Sequence, residues 1–171
     1  MGAYFAANRT DSRKGSGIAR LLPALHLGQE MADVKPYQPL PDYAWLSEIQ
    51  VMTARDTAGS PDGLYVAMKG GHNSESHNHN DVGHYIVYVD GEPVIVDAGV
   101  EAYTGKTFSS ERYDIWTMQS AYHSLPTING VMQAPGMEFA AKDASSEEDS
   151  EKANISLDIA DAYRPEANLK T

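Results

Sequence analysis

Three of the six histidines fall within GGHNSESHNHNDVG (70–83), at positions 72, 77 and 79, and a fourth follows at 84. Imidazole changes charge near neutral pH, and it is the commonest protein ligand for metals. His77 and His79 are two apart. In an extended backbone alternate side chains share a face, so both rings can serve one metal, or one a metal and the other a substrate. Two further residues join the argument: Asp97 closes the apolar run VIVD, and His123 lies in a segment that leads into a turn. The chain has no cysteine, so any metal must be held by imidazole and carboxylate. Two histidines and one aspartate suit Zn²⁺ and leave a fourth position for water or substrate. The same donors also accept Mn²⁺, Fe²⁺ or Ni²⁺. His26 and His72 read as ordinary, satisfied polar residues.

The elements around these residues read as strands. EIQVMTAR (48–55) and LYVAMKG (64–70) are apolar runs separated by the turn signal SPDG. HYIVYVDGEPVIVDAG (84–99) reads as a hairpin with Asp90-Gly91 at its tip, because Asp-Gly supplies the two positive-φ positions of a type I′ turn. A two-residue turn there sets Asp97 opposite His84, on one face with Ile86, Tyr88 and Ile95. A carboxylate at the edge of an apolar face needs a partner, which makes His84 either that partner or an alternative metal ligand. TINGVMQ (127–133) repeats the hairpin signal with Asn129-Gly130, and MEFAAKDA (137–144) and ANISLDIADAY (153–163) read as two more strands. SSEEDSEK (145–152) between them reads as a solvated acidic loop. Short strands at this spacing, with Gly/Pro turns and little helix, point to an all-β fold, an antiparallel sandwich or barrel. The first 45 residues differ. GIARLLPALHLGQEM (17–31) has partial helical periodicity interrupted by Pro23, and VKPYQPLPDY (34–43) reads as an extended connector. The expected division is therefore an N-terminal segment over 1–45 and a β-domain over 46–171.

Net charge is −11, which argues against a general surface for nucleic acid or other polyanions. No window reaches the roughly 18 apolar residues that a membrane span needs. The N-terminal MGAYFAANRTDSRKGSG carries no apolar run of signal-peptide type.

Several motifs, taken in order, resemble a known family. The HNHND cluster, the Asp-Gly hairpin, DAGVEAYT, TFSSERYDIW and YHSLPTINGVMQ, all within 76–133, are similar to the β-sandwich domain of heparinase II/III-like polysaccharide lyases. The resemblance implies a C-terminal antiparallel β-sandwich joined to a helical α/α-toroid, with the active site in the cleft between them. On that reading 1–45 is the end of the toroid plus a linker, and 46–171 is much of the sandwich. The resemblance also implies β-elimination at a uronic acid of an acidic polysaccharide. His77 would face the substrate and Tyr113 would be a proton donor or acceptor. His79, Asp97 and His123 would hold a structural zinc. The toroid of the same protein would supply the remaining machinery, and this chain alone would be inactive. A periplasmic or secreted location follows from the same likeness.

Two other readings compete. Gly71, His77, His79 and Gly91 fit the two ends of a cupin motif, with His84 in place of its acid. The second cupin motif is missing, Ala134-Pro135-Gly136 being the nearest approach. The chain also reads as a non-catalytic, carbohydrate-contacting sandwich module.

Overall fold

The computed structural model describes residues 39–169, together with Ile18, Leu22, Pro23 and His26. The chain divides into two compact units, 1–40 and 41–171. In the first, the four described residues between 18 and 26 are exposed and lie in helical backbone, Pro23 included. The rest of the expected helical segment, and the connector up to residue 38, lie outside the described residues.

The second unit is all-β and antiparallel. Its larger sheet has five strands: β1 (Tyr43–Leu46), β2 (Val51–Arg55), β3 (Leu64–Lys69), β5 (Tyr85–Val89) and β6 (Glu92–Ile95), in the spatial order β1-β2-β3-β5-β6. The sheet reaches back into the stretch read as connector, because β1 pairs with β2 from Tyr43↔Ala54 to Leu46↔Val51. Ser47–Ile49 is a 3-10 turn, so the strand expected from 48 begins only at Val51. A two-stranded ribbon, β8 (Lys142–Glu148) and β9 (Ala153–Asp158), forms a second layer, tied to β1 where the Tyr43 hydroxyl donates to Ser146 Oγ at 2.9 Å. Between the layers is a gap of about 500 Å³ lined by residues such as Met52, Arg55 and Lys152, with no histidine among its walls. A short pair, β4 (His72–Asn73) with β7 (Gly136–Ala140), completes the sandwich-type arrangement. These sheets are open, and none closes into the small barrel that a cupin would require.

Local sterics decide the turns. Asp90 and Gly91 have φ of 52° and 79°, and Asn129 and Gly130 have 51° and 75°. Both pairs occupy the left-handed region that two-residue hairpin turns demand. The second turn joins a single bridge, Ile128↔Val131, where longer strands were expected. MEFAAKDA is not one strand: it breaks at Ala141, which sends β7 to β4 and β8 to β9. The acidic stretch is likewise only partly loop, since β8 runs through Glu148 and the turn is confined to 149–152. Glu147 and Glu148 are adjacent and both exposed, so this strand keeps its acidic side chains in water without leaving the ladder.

The core sits at one end of the sandwich. Val82, Ala141, Ala162, Tyr163 and Ala167 are buried together, with Ile128, Val131, Leu157 and Ile159 packed around them. Val82 is fully buried, and burial of such a side chain is worth about 1.5–3 kcal/mol. It directly follows the histidine cluster, so the core anchors the C-terminal end of that loop. Within the five-stranded sheet only Met52 is buried.

Candidate functional site

The loop from His72 to His84 is held by a buried polar network. Asn73, wholly buried, donates through Nδ2 to Gln133 Oε1 (3.1 Å) and to the Ala134 carbonyl (3.0 Å), and accepts from Asp81 N–H (3.1 Å). Gln133 Oε1 also accepts from Val82 N–H (3.0 Å), and its Nε2 donates to the Val82 carbonyl (2.7 Å). One glutamine thus satisfies both backbone groups of a residue that water cannot reach. Lys69 adds an outer brace, with Nζ 2.8 Å from Asp81 and 3.4 Å from Glu75.

Between the histidines the chain departs from an extended strand. His77 has φ of 58°, a left-handed conformation that costs a non-glycine residue about 1 kcal/mol or more. His77 and His79 therefore do not face one space by way of an extended strand, and their rings take different partners, although both line one groove. His77 stacks on Tyr103 (centroids 5.7 Å apart, 13° between planes), meets Phe108 edge-on at 6.4 Å, and has its Nδ1 3.3 Å from the Tyr103 hydroxyl. His79 lies against His123, centroids 5.2 Å apart. Arg112 holds the bend: Nε and Nη2 both donate to the Asn78 carbonyl (2.9 and 2.7 Å), and Nη1 donates to the Thr107 carbonyl (2.8 Å).

His79, Asp97 and His123 converge so that one ligand atom from each lies within 4.8 Å of the others. Asp97 Oδ2 is 2.8 Å from His123 Nδ1 and 3.1 Å from His84 Nε2, and Asp97 Oδ1 accepts from Gly99 N–H. The hairpin brings His84 to Asp97, though by a different register from the one expected. Val89↔Glu92 and Tyr88↔Pro93 pair as a two-residue turn requires, but a bulge then shifts the ladder so that Val87 faces Ile95. The bulge falls beside Pro93, which has no N–H to give the ladder. Asp97 itself lies beyond the end of β6.

Electrostatics favour the deprotonated forms of His79 and Asp97. Burial lowers the pKa of His79, helped by the neighbouring His123. Burial lowers that of His84 as well, against the opposing pull of Asp97. For Asp97 burial acts upward, but the Gly99 N–H, the His123 hydrogen bond and the charges of His123 and His84 outweigh it, leaving the carboxyl below its ordinary range. Neutral imidazoles and an ionised carboxylate are the forms that bind metal. His123 Nε2 is buried and has no hydrogen-bond partner, an orphan that a metal would satisfy. The residues therefore fit a divalent cation such as Zn²⁺.

Two open grooves meet at His77. One, about 430 Å³, is lined by His77, His79, His84, Asp97 and the apolar side chains of Val51 and Ile86. The other, about 420 Å³, runs past His77, Asn78, Phe108, Arg112 and Tyr113. The two candidate catalytic residues thus line the same groove. Asn78 Nδ2 donates to the Tyr113 hydroxyl at 3.3 Å. Tyr113 does not pair with Trp116, whose ring partner is Tyr122. His72 is distant in role: it pairs with Ala140 in β4, and its Nδ1 accepts from Ser74 N–H. Tyr103, Arg112, Asn73 and Gln133 were not singled out from sequence. Arg112 lies in TFSSERYDIW, Tyr103 in DAGVEAYT and Gln133 at the end of YHSLPTINGVMQ, so the motifs contained them without marking their roles.

Among the described residues no helix is long and apolar enough to cross a membrane. The family model described as heparinase II/III-like, C-terminal, matches residues 40–171. No curated protein matches the chain.

Proposed function

Because the chain belongs to the heparinase II/III-like C-terminal family, we propose that it forms the β-sandwich part of a polysaccharide lyase that cleaves uronic-acid polymers by β-elimination. The observation that supports this reading is the separate company kept by the two histidines of the HNHND cluster. His77 lines a groove with Tyr113 that His79 does not reach, while His79 lies against His123 and converges with Asp97.

The chemistry makes definite demands. The C5–H bond of the uronide breaks and its proton goes to a base. The electron pair forms the C4=C5 double bond, the C4–O bond breaks, and the departing oxygen gains a proton. Neutralising the sugar carboxylate makes C5–H acidic and stabilises the charge that develops there. Protonated or hydrogen-bonding His77 serves that carboxylate. Lys69 is committed to Asp81 and Glu75, and Arg112 to carbonyl oxygens, so neither competes for the role. Tyr113 is the proton donor to the leaving oxygen: its hydroxyl accepts from Asn78, which leaves the phenolic hydrogen to be given away. A helical toroid domain of the same protein closes the groove and supplies the base for C5. Its surface offsets the chain's net charge of −11, which would otherwise repel an acidic glycan.

His79, Asp97 and His123 would hold the metal, in the first instance Zn²⁺. When bound it supplies a fixed cross-link between the histidine loop, the end of the β5–β6 hairpin and the 120s segment. The same family likeness supports a periplasmic or secreted location.

The test is the ultraviolet absorbance of an unsaturated uronide, followed with heparan sulfate, alginate and related glycans. The protein with its helical domain should turn over at least one of them, and His77→Ala should abolish turnover. The 171-residue chain alone should not, and robust turnover by it would overturn the division of labour. Metal analysis should give one zinc per chain in the wild type and none in His79→Ala or Asp97→Ala. A metal-free wild type after gentle purification would reject the zinc reading.

A further inference from the structure

We infer that Phe108 is a sugar-binding residue: its ring is the surface on which one pyranose of the glycan lies in the groove that His77 and Tyr113 share. The inference deepens the lyase reading above and rests on it for the identity of the ligand. Phe108 lines that groove with His77, Arg112 and Tyr113, and its volume of about 420 Å³ is in the range of small-ligand sites. The ring is 69% exposed and takes no part in the buried core. Its ring partners are Tyr103, with centroids 5.5 Å apart and planes at 87°, and His77, at 6.4 Å and 84°. Both meet it at right angles, so neither stacks flat on it.

Single exposed apolar side chains are ordinary on protein surfaces. Phe108 differs in how it is held. It ends the 3-10 turn Lys106–Phe108, whose central residue, Thr107, is buried. Thr107 Oγ1 accepts from Thr104 N–H (3.0 Å), its carbonyl accepts from Arg112 Nη1 (2.8 Å), and Ser109 Oγ donates to the Lys106 carbonyl (3.0 Å). The arginine that fixes this turn also pins the Asn78 carbonyl beside His77, so the aromatic ring and the histidine are set by one side chain. A ring already held in place loses little freedom when a ligand binds.

The chemistry of the ring selects the ligand. A pyranose presents C–H groups on its faces, and their slightly positive hydrogens suit the negative face of a π-system. Its hydroxyls and carboxylate lie at the rim. With the Phe108 and His77 centroids 6.4 Å apart, a sugar ring can lie on Phe108 while a carboxylate reaches His77. The contact carries no charge. In a chain of net charge −11, whose groove arginine is committed to carbonyl oxygens, stacking holds an acidic glycan without a basic surface.

The experiment has two arms. In the first, NMR saturation transfer from protein to ligand is measured on the 171-residue chain, with alginate and heparan sulfate oligosaccharides as probes. Wild type and Phe108→Trp should transfer saturation to the ring C–H protons of at least one probe. Phe108→Ala, with its folding confirmed by thermal melt, should lose that transfer. In the second, turnover is measured on the protein carrying its helical domain. Phe108→Ala should raise KM about tenfold, equivalent to about 1.4 kcal/mol. Its kcat should change by less than about twofold, because His77 keeps its stack on Tyr103. The KM ratio should be the same at low and high salt, as an uncharged contact requires, and Phe108→Trp should restore KM. A residue acting only through folding would lower kcat or Tm and would not be rescued by a larger aromatic ring. A KM for Phe108→Ala within about twofold of wild type, undiminished saturation transfer from that variant, or no transfer from wild type to any probe overturns the inference. A wild type that binds a glycan but cleaves none rejects the lyase reading instead, while the first arm still decides what Phe108 does.

Discussion

Replacing Gln133 by leucine tests whether the histidine loop is held from the core side. The side chain is nearly isosteric, so little packing is lost, but both polar ends disappear. Val82 N–H and Val82 C=O, which bond Gln133 at 3.0 and 2.7 Å, are left without partners in a residue that is fully buried. Asn73 Nδ2 keeps its bond to the Ala134 carbonyl, so it adds little to the loss. A buried group left unpaired costs about 1–3 kcal/mol, which puts Gln133→Leu at about 2–6 kcal/mol for the two groups together. That is a large part of the roughly 5–15 kcal/mol that holds a domain folded. With a urea m-value of about 2 kcal/mol/M, a loss of about 4 kcal/mol moves the midpoint down by about 2 M. Two assays check this. Urea unfolding should show the drop, and amide exchange at Val82 should accelerate more than exchange within β2 and β3. Stability within about 0.5 kcal/mol of wild type, with Val82 protection intact, would refute the argument. It would mean that water or backbone adjustment satisfies Val82 and that the loop is held from elsewhere.

Other outcomes follow from the same geometry. Tyr103→Phe keeps the ring that stacks on His77 but removes the hydroxyl at Nδ1. On the proposed reading, turnover by the protein carrying its helical domain should fall about fivefold, for a hydrogen bond of about 1 kcal/mol. An unchanged rate would leave the hydroxyl without a role. Arg112→Lys replaces a planar fork by a single point donor and frees the Asn78 carbonyl. Stability should fall by about 1–2 kcal/mol and Zn²⁺ affinity should weaken, both checked by titration against a folded control. Acid should destabilise the metal-free fold in two stages. His79 and His84 have folded pKa values below the ordinary 6.5, so the unfolded chain binds protons first and stability drops as pH falls below 6.5. Asp97 is also depressed from 3.8, so its contribution is complete above that value and lost as pH falls through its folded pKa. Urea midpoints measured from pH 8 to pH 3 should decline monotonically, and a midpoint that rises on acidification would contradict the assignment.

Some of this protein was legible without a structure. The two hairpin tips were readable because Asp-Gly and Asn-Gly settle their own backbone angles within two residues. Strand identity along 51–55, 64–69 and 85–89 was readable because each is a short run rich in apolar, β-branched and aromatic residues bounded by turn signals. The meeting of His84 with Asp97 was readable from counting across a tip. The likeness to the family's motifs, rather than any spacing rule, was what grouped His79 with Asp97 and His123. The fold decided the rest. The bulge at Val87/Tyr88 cannot be counted from the turn, because it depends on how the ladder accommodates Pro93. The parting of His77 from His79 depends on a left-handed residue that Arg112, 34 positions away from Asn78, holds in place. Gln133 lies 51 positions from Val82, and nothing near it in sequence marks it as the partner. Turns and strands answer to torsions and neighbours along the chain. What His84 Nδ1 meets is the backbone N–H of Ser124, 40 residues on, and only the packed sheets and loops bring the two together.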